Sequence, residues 1–133
     1  MSKRMTKGEF QESLGALNPV GHAMLAFEND EVAKKARKAL LEAGFTEDDI
    51  LGYSSGELFP NLNELMRTAS GAAGFGYEIT LMRRYMTLAG EGAGWLVVYA
   101  PEEELTAKVQ QVARQFDARS AVQYGRLLHE DLV

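Results

Sequence analysis

The residues best placed to do chemistry sit on one stretch of helical spacing. Tyr77, Thr80, Arg84, Thr87 and Glu91 recur at three- and four-residue steps, with Arg83 alongside. Residues so spaced share one face of a helix. A guanidinium flanked by hydroxyls suits a carboxylate or phosphate, because arginine offers a rigid fork of donors. Tyr77, Thr80, Arg83, Arg84 and Thr87 are therefore the candidate ligand-binding set. The competing account is an amphipathic helix with a solvated polar side. Glu78 reads as a first-turn residue favoured by the helix dipole rather than as a base.

Other constellations fail on spacing or context. Gly71, Gly74 and Gly76, and then Gly90, Gly92 and Gly94, resemble phosphate loops only in composition. Such a loop follows a strand and opens a helix, so that helix amides meet the phosphate. The first cluster lies between two helical patterns and the second leads from a helix into a strand, so both read as turns. His22 and His129 are far apart and lack ligand-spaced partners, and cysteine is absent. No metal site, cofactor motif or thiol nucleophile is expected. Ser54, Ser55 and Ser70 sit in no nucleophile elbow. No catalytic residue is assigned.

Composition narrows the classes further. The 133 residues carry a net charge of −5 and 46% hydrophobic residues, as expected of one globular domain rather than a disordered chain. The acidic balance argues against a nucleic-acid partner, whose affinity comes largely from neutralising phosphates. Trp95, Tyr99 and Phe27 could imitate a base-stacking sheet, but the basic aromatic signature of that class is missing. No apolar run reaches the ~18 residues of a membrane span. The basic start of the chain lacks the apolar stretch of a signal peptide. A cytoplasmic protein with no membrane partner is expected.

The elements come from a repeat. Val20 to Phe27 and Trp95 to Tyr99 are apolar runs, each leading into acidic residues and then a helical pattern. In the first unit Asn29 or Asp30 caps a helix whose stripe is Val32, Ala33, Ala36, Ala39, Leu40 and Ala43. Gly44 ends it, and Ile50 to Tyr53 form a second strand. In the second unit Pro101 suits the first helical turn. Leu105, Val109, Val112, Ala113 and Phe116 make the stripe, and Ser120 to Tyr124 the strand. Lys34, Lys35, Arg37 and Lys38 read as a solvated helix face.

Two strand–helix–strand units predict an α+β, ferredoxin-like split βαβ domain with a four-stranded antiparallel sheet. Residues 54–93 are expected to form a helical hairpin inserted between the middle strands. Its stripes are Leu62, Leu65, Met66 and Ala69, then Ile79, Met82, Tyr85, Met86 and Ala89. Residues 1–18 form a lead-in and residues 126–133 a tail, read as an edge strand or turn, within a single domain. Alternation along the strands groups Met24 and Ala26 with Leu96 and Val98. It groups Ala23, Leu25 and Phe27 with Trp95, Val97 and Tyr99. Both faces are apolar, so either the hairpin or a second copy must cover the one that the repeat helices leave bare.

The run Ala39 to Phe45, the glycines from Gly71 to Gly76 and the closing Ala118 to Gly125 resemble small bacterial general-stress domains. In those, two strand–helix–strand units flank a segment rich in glycine and alanine. The charged helix around Leu81 to Tyr85 is longer than that segment usually is. The resemblance implies a bacterial stress-related protein and carries over no catalytic residues. The expectation is thus a non-catalytic, self-associating module, most simply a homodimer. Met66, Met82 and Met86 supply an adaptable surface for it. The alternative is a sensor or small enzyme that reads an anionic metabolite through Arg84, in a pocket between hairpin and sheet. In a monomer, Leu65, Met66 and Tyr85 are expected to touch Trp95 or Phe27.

Overall fold

The computed structural model describes residues 21–58, 77–124 and 129–131, with 77–82 and 129–131 as backbone. Strands β1 (His22–Phe27), β2 (Ile50–Ser54), β3 (Gly94–Tyr99), β4 (Ser120–Tyr124) and β5 (His129–Asp131) form one sheet. Its order is β2-β3-β1-β4-β5, and every neighbouring pair is antiparallel. Helices α1 (Asp30–Glu42), α2 (Ser55–Leu58), α3 (Tyr77–Gly90) and α4 (Glu103–Gln115) complete an α+β architecture. The sequence-predicted helix at Leu62 to Ala69, the contacts expected of Leu65 and Met66, and residues 1–18 lie outside the described residues.

Local chemistry explains where the elements start and stop. The Asn29 side chain accepts from the Val32 amide at 3.0 Å, capping α1. Gly44 ends it at φ +112, a conformation that a Cβ would strain. No basic residue lies in the last turn of α1, but Lys108 of α4 donates to the Ala43 carbonyl at 3.2 Å. A cation from the second unit thus serves the negative end of the helix in the first. Pro101 lies two residues ahead of α4, which starts at Glu103 with Glu102 as its cap. The proline therefore precedes the helix rather than occupying its first turn.

The predicted stripes hold: Ala33, Ala36 and Leu40 on α1, and Val109, Val112 and Ala113 on α4, are buried. They pack on Ala23, Leu25, Phe27, Ile50, Leu96, Val98 and Ala121. The predicted pairing of strand faces is corrected here. Leu25 stands opposite Leu96 and Met24 opposite Val97. Directly opposed residues in an antiparallel pair share a face. The odd positions of β1 therefore join the even positions of β3. Alternation within each strand was right; the register between strands could not be read from either one alone.

The other face gathers Met24, Ala26, Tyr53, Trp95, Val97, Val122 and Tyr124, with Leu58, Tyr85, Leu88 and Ala89 upon them. Tyr85 meets Trp95 edge-on, ring centroids 5.4 Å apart and planes at 86°. Residues between β2 and β3 therefore cover this face. Gly94, at the start of β3, makes the tightest approach: a Cβ there would lie 2.6 Å from the Asn29 carbonyl oxygen and 2.9 Å from the Ala33 Cβ.

Candidate functional site

All five residues of the predicted ligand set lie along α3. Arg83, Arg84 and Thr87 are exposed. The Thr87 hydroxyl donates to the Arg83 carbonyl one turn back, at 3.0 Å, so its own helix already uses it. Tyr85, between the arginines and Thr87, turns the opposite way into the core. The described geometry places the arginines on the outward side of the helix that roofs the sheet.

Beneath that roof are two tethers. The Trp95 indole donates to the Ser55 hydroxyl at 3.0 Å, and that hydroxyl donates to the Ala93 carbonyl at 2.7 Å. The Tyr85 and Tyr124 hydroxyls share a buried hydrogen bond of 2.8 Å. Ser54 and Glu57 hold α2 in place reciprocally: the Ser54 amide donates to the Glu57 carboxylate at 3.0 Å, and the Glu57 amide to the Ser54 hydroxyl at 3.2 Å. Glu57 and burial also act on Tyr53. Burial first, and then the Glu57 charge, push its phenol from the ordinary 10.0 up to about 12. That phenol stays protonated at neutral pH and is no base.

Two cavities lined by described residues flank the sheet. The larger, about 370 Å³, lies between α1 and the ends of β2 and β3. Ala33 and Gly52 leave the room, Leu96 and Trp95 contribute apolar surface, and Lys34 and Arg37 bring positive charge. Asp30 and Glu57 bring negative charge. Lys34 is exposed and reaches Glu31 at 4.0 Å. Arg37 is half-buried, with no ion pair among the described residues. Its sequence reading as part of a solvated face missed the cavity. The legible signal was the row Asp30, Ala33, Lys34 and Arg37, which only the packing of β2 against α1 turns into a wall.

The smaller cleft, about 230 Å³, lies where α3 meets the sheet and is lined by Phe27, Glu28, Leu88, Glu91, Ala93 and Arg119. Arg119 lies 4.0 Å from Glu28, so a nearby acid already answers its charge. Neither cavity is lined by any of the five predicted ligand residues. His22 is buried against Tyr99, centroids 5.0 Å apart. Among the described residues no group of three or more acids or histidines is placed to hold a metal. No helix among them is long and apolar enough to cross a membrane.

The sheet ends differently at its two sides. On one side β5, three residues reading His-Glu-Asp, closes the order. On the other, β2 has a strand partner on one side only among the described residues, and Ile-Leu-Gly-Tyr-Ser carries no charge and no proline. Compared with known families, curated proteins and solved structures, the chain finds no match in any of the three.

Proposed function

We propose that the chain is a non-catalytic, self-associating bacterial module, stress-related and cytoplasmic, acting as a homodimer. Its fold in this reading is ferredoxin-like, with residues 54–93 as a helical insertion. The two strand–helix–strand units and the order β2-β3-β1-β4 support that fold. The observation that carries self-association is β2, an uncharged strand that is outermost among the described residues. Natural sheets protect such edges with charges, prolines or short length, because unpaired backbone groups template another strand. The coverage of the second sheet face by α3 and Leu58 removes the broad apolar face as the motive and leaves the edge. Sedimentation velocity tests the reading: a concentration-dependent dimer is expected at tens of micromolar, and a monomer there overturns it.

A second reading has one observation in its favour. Arg37, half-buried beside a 370 Å³ cavity without an ion pair among the described residues, is a ready partner for a carboxylate or phosphate metabolite. This sets Arg37 beside Arg84 as a second candidate for reading the anion. A ligand that binds only the folded state raises its melting temperature by mass action. Inorganic phosphate and citrate are the probes. Stabilisation lost in Arg37→Gln and kept in Arg84→Ala supports this reading; no stabilisation of the wild type removes it.

A further inference from the structure

We infer that two copies join through β2, antiparallel, about a two-fold axis at Gly52, so that the two sheets become one. The inference rests on the self-association reading and names the surface and its register. Three observations lead to it.

The first is the direction of the backbone at the edge. The Ser54 amide donates to the Glu57 carboxylate and not into the ladder with β3. Backbone groups alternate in direction along a strand, so the amides of Gly52 and Ile50 also face away from β3. Gly52 is the middle of the five residues of β2. An axis at Gly52 is the only one that opposes all five residues of each copy. It makes the two Gly52 residues a pair that exchanges both backbone hydrogen bonds, while at each end the Glu57 carboxylate keeps the Ser54 amide and only the Ile50 amide is left to bond the partner's Ser54 carbonyl.

The second is side-chain matching in that register. Leu51 is half-buried at the border of the aromatic cluster that contains Tyr53. The axis sets Leu51 opposite the partner's Tyr53, and Tyr53 opposite the partner's Leu51. An aliphatic–aromatic cross-strand pair of this kind is favourable. It extends one apolar face from copy to copy. A register slipped by one residue would put these side chains on opposite faces.

The third is charge. Arg37 stands beside the Gly52–Ser54 half of the strand with Lys34, Asp30 and Glu57; Lys34 already faces Glu31, which leaves Arg37 as the cation of this wall with no ion pair among the described residues. Glu47 and Asp48, both exposed, form the turn that leads into its other end. Antiparallel pairing lays the beginning of one β2 beside the end of the other. The axis is perpendicular to the sheet, so both α1 helices lie on one side. Each acidic turn then approaches the partner's Lys34 and Arg37, and opposite charges across an interface fix register and orientation. The ion pair that Arg37 lacks within the described residues is supplied by the second copy.

The chain has no cysteine, which makes the test clean. A hydrogen-bonded antiparallel pair holds its Cβ atoms about 5.5 Å apart, wider than the ~3.5–4.5 Å of a direct disulfide, so a short bis-thiol-reactive linker reports the contact. A Cβ at Gly52 would make only an ordinary 3.8 Å contact with Leu96. A short bis-maleimide is expected to join Gly52→Cys into a covalent dimer, and to give none with Arg83→Cys on the outer side of α3. Leu51→Lys is expected to weaken the dimer at least about tenfold, as a charge placed on an edge strand does. Arg37→Glu is expected to weaken it, and adding Asp48→Lys in the same chain to restore it, because the pair forms between copies. A wild type that is monomeric overturns both the self-association reading and this interface. A wild-type dimer in which Gly52→Cys fails to cross-link, or which survives Leu51→Lys, overturns the interface alone. Should Leu51→Lys fail to fold, the cross-link decides.

Discussion

The two faces of the sheet are built from different materials. One is mainly aliphatic, its buried rings Phe27 and Phe45 carrying no polar tip, and is covered by α1 and α4, helices of matching length and stripe: Ala36 and Leu40 on one, Val109 and Ala113 on the other. The opposite face is aromatic, with Trp95, Tyr85, Tyr124 and Tyr53, and is roofed by α2 and α3. Aliphatic packing is tolerant of direction, so the first face relies on the strand–helix–strand geometry to position its helices. Aromatic rings with polar tips are directional. The Trp95–Ser55 and Tyr85–Tyr124 hydrogen bonds tie the roof at two defined points. A roof that no repeat positions is held by bonds that only one placement satisfies.

The largest expected effect is Trp95→Ala, at about 3–5 kcal/mol in urea unfolding. Leu40→Ala on the aliphatic face should cost about 2–5 kcal/mol. The contrast sharpens with gentler changes. Trp95→Phe should cost more than Leu40→Met, since it removes the hydrogen bond that the Ser55 hydroxyl accepts as well as volume. Equal costs for that gentler pair would sink the distinction between the faces.

Next comes the tyrosine pair. Tyr85→Phe or Tyr124→Phe alone removes this buried hydrogen bond, at about 1–1.5 kcal/mol. The double variant should cost less than the sum, with a coupling of about 0.5–3 kcal/mol. Strict additivity would show that the hydroxyls do not act together. Smaller still, Asn29→Ala removes the α1 cap and should cost about 1 kcal/mol, with α3 and its tethers unaffected. Native-state hydrogen exchange should show faster opening in the first turn of α1 and no change at Trp95.

At neutral pH the least effect comes from Tyr53. Its folded-state value of about 12 lies above the ordinary 10.0, so the folded state holds the proton more tightly. Stability from this group is fully present below pH 10 and is lost as pH rises towards 12. The difference between wild type and Tyr53→Phe should be flat below pH 10 and decline through that window. A flat difference across the whole range would refute the burial of that phenol.

What the sequence made legible follows the same division. The first face was readable because periodicity, the Asn29 cap and the Gly44 stop are local signals, and the periodicity recurs in the second unit. Its mate was not, because the tethers join residues distant in sequence, Ser55 to Trp95 and Tyr85 to Tyr124, which share no spacing rule. Tyr85 was expected to reach Trp95 if the hairpin covered the sheet, and it does. The candidate site shows the limit in another way. Arg83 and Arg84 were visible as a polar row, but a row says nothing about concavity. Arg37 lines a cavity together with Ala33 of the same helix and Gly52 of β2, a strand distant from it in sequence. Likewise, alternation gave each strand two faces, and register alone decides which faces join.

The place of β1 has a consequence for how the chain reaches this state. It lies between β3 and β4, not beside β2, the next strand in sequence. His22 pairs with Tyr99, and Met24 with both Val97 and Val122. The centre of the sheet therefore cannot grow outward from a hairpin of sequence neighbours. Its first ladder must close a loop that spans half the chain, and loop entropy is lost before those contacts form. Domains dominated by such distant pairings fold slowly, on the scale of milliseconds to seconds. During that search α1 can form early from its own cap and stripe, while the uncharged β2 waits for β3 to arrive. Refolding at high protein concentration should thus be slower or less complete than in dilute solution, as unpaired β2 segments from different chains meet before their own β3 does.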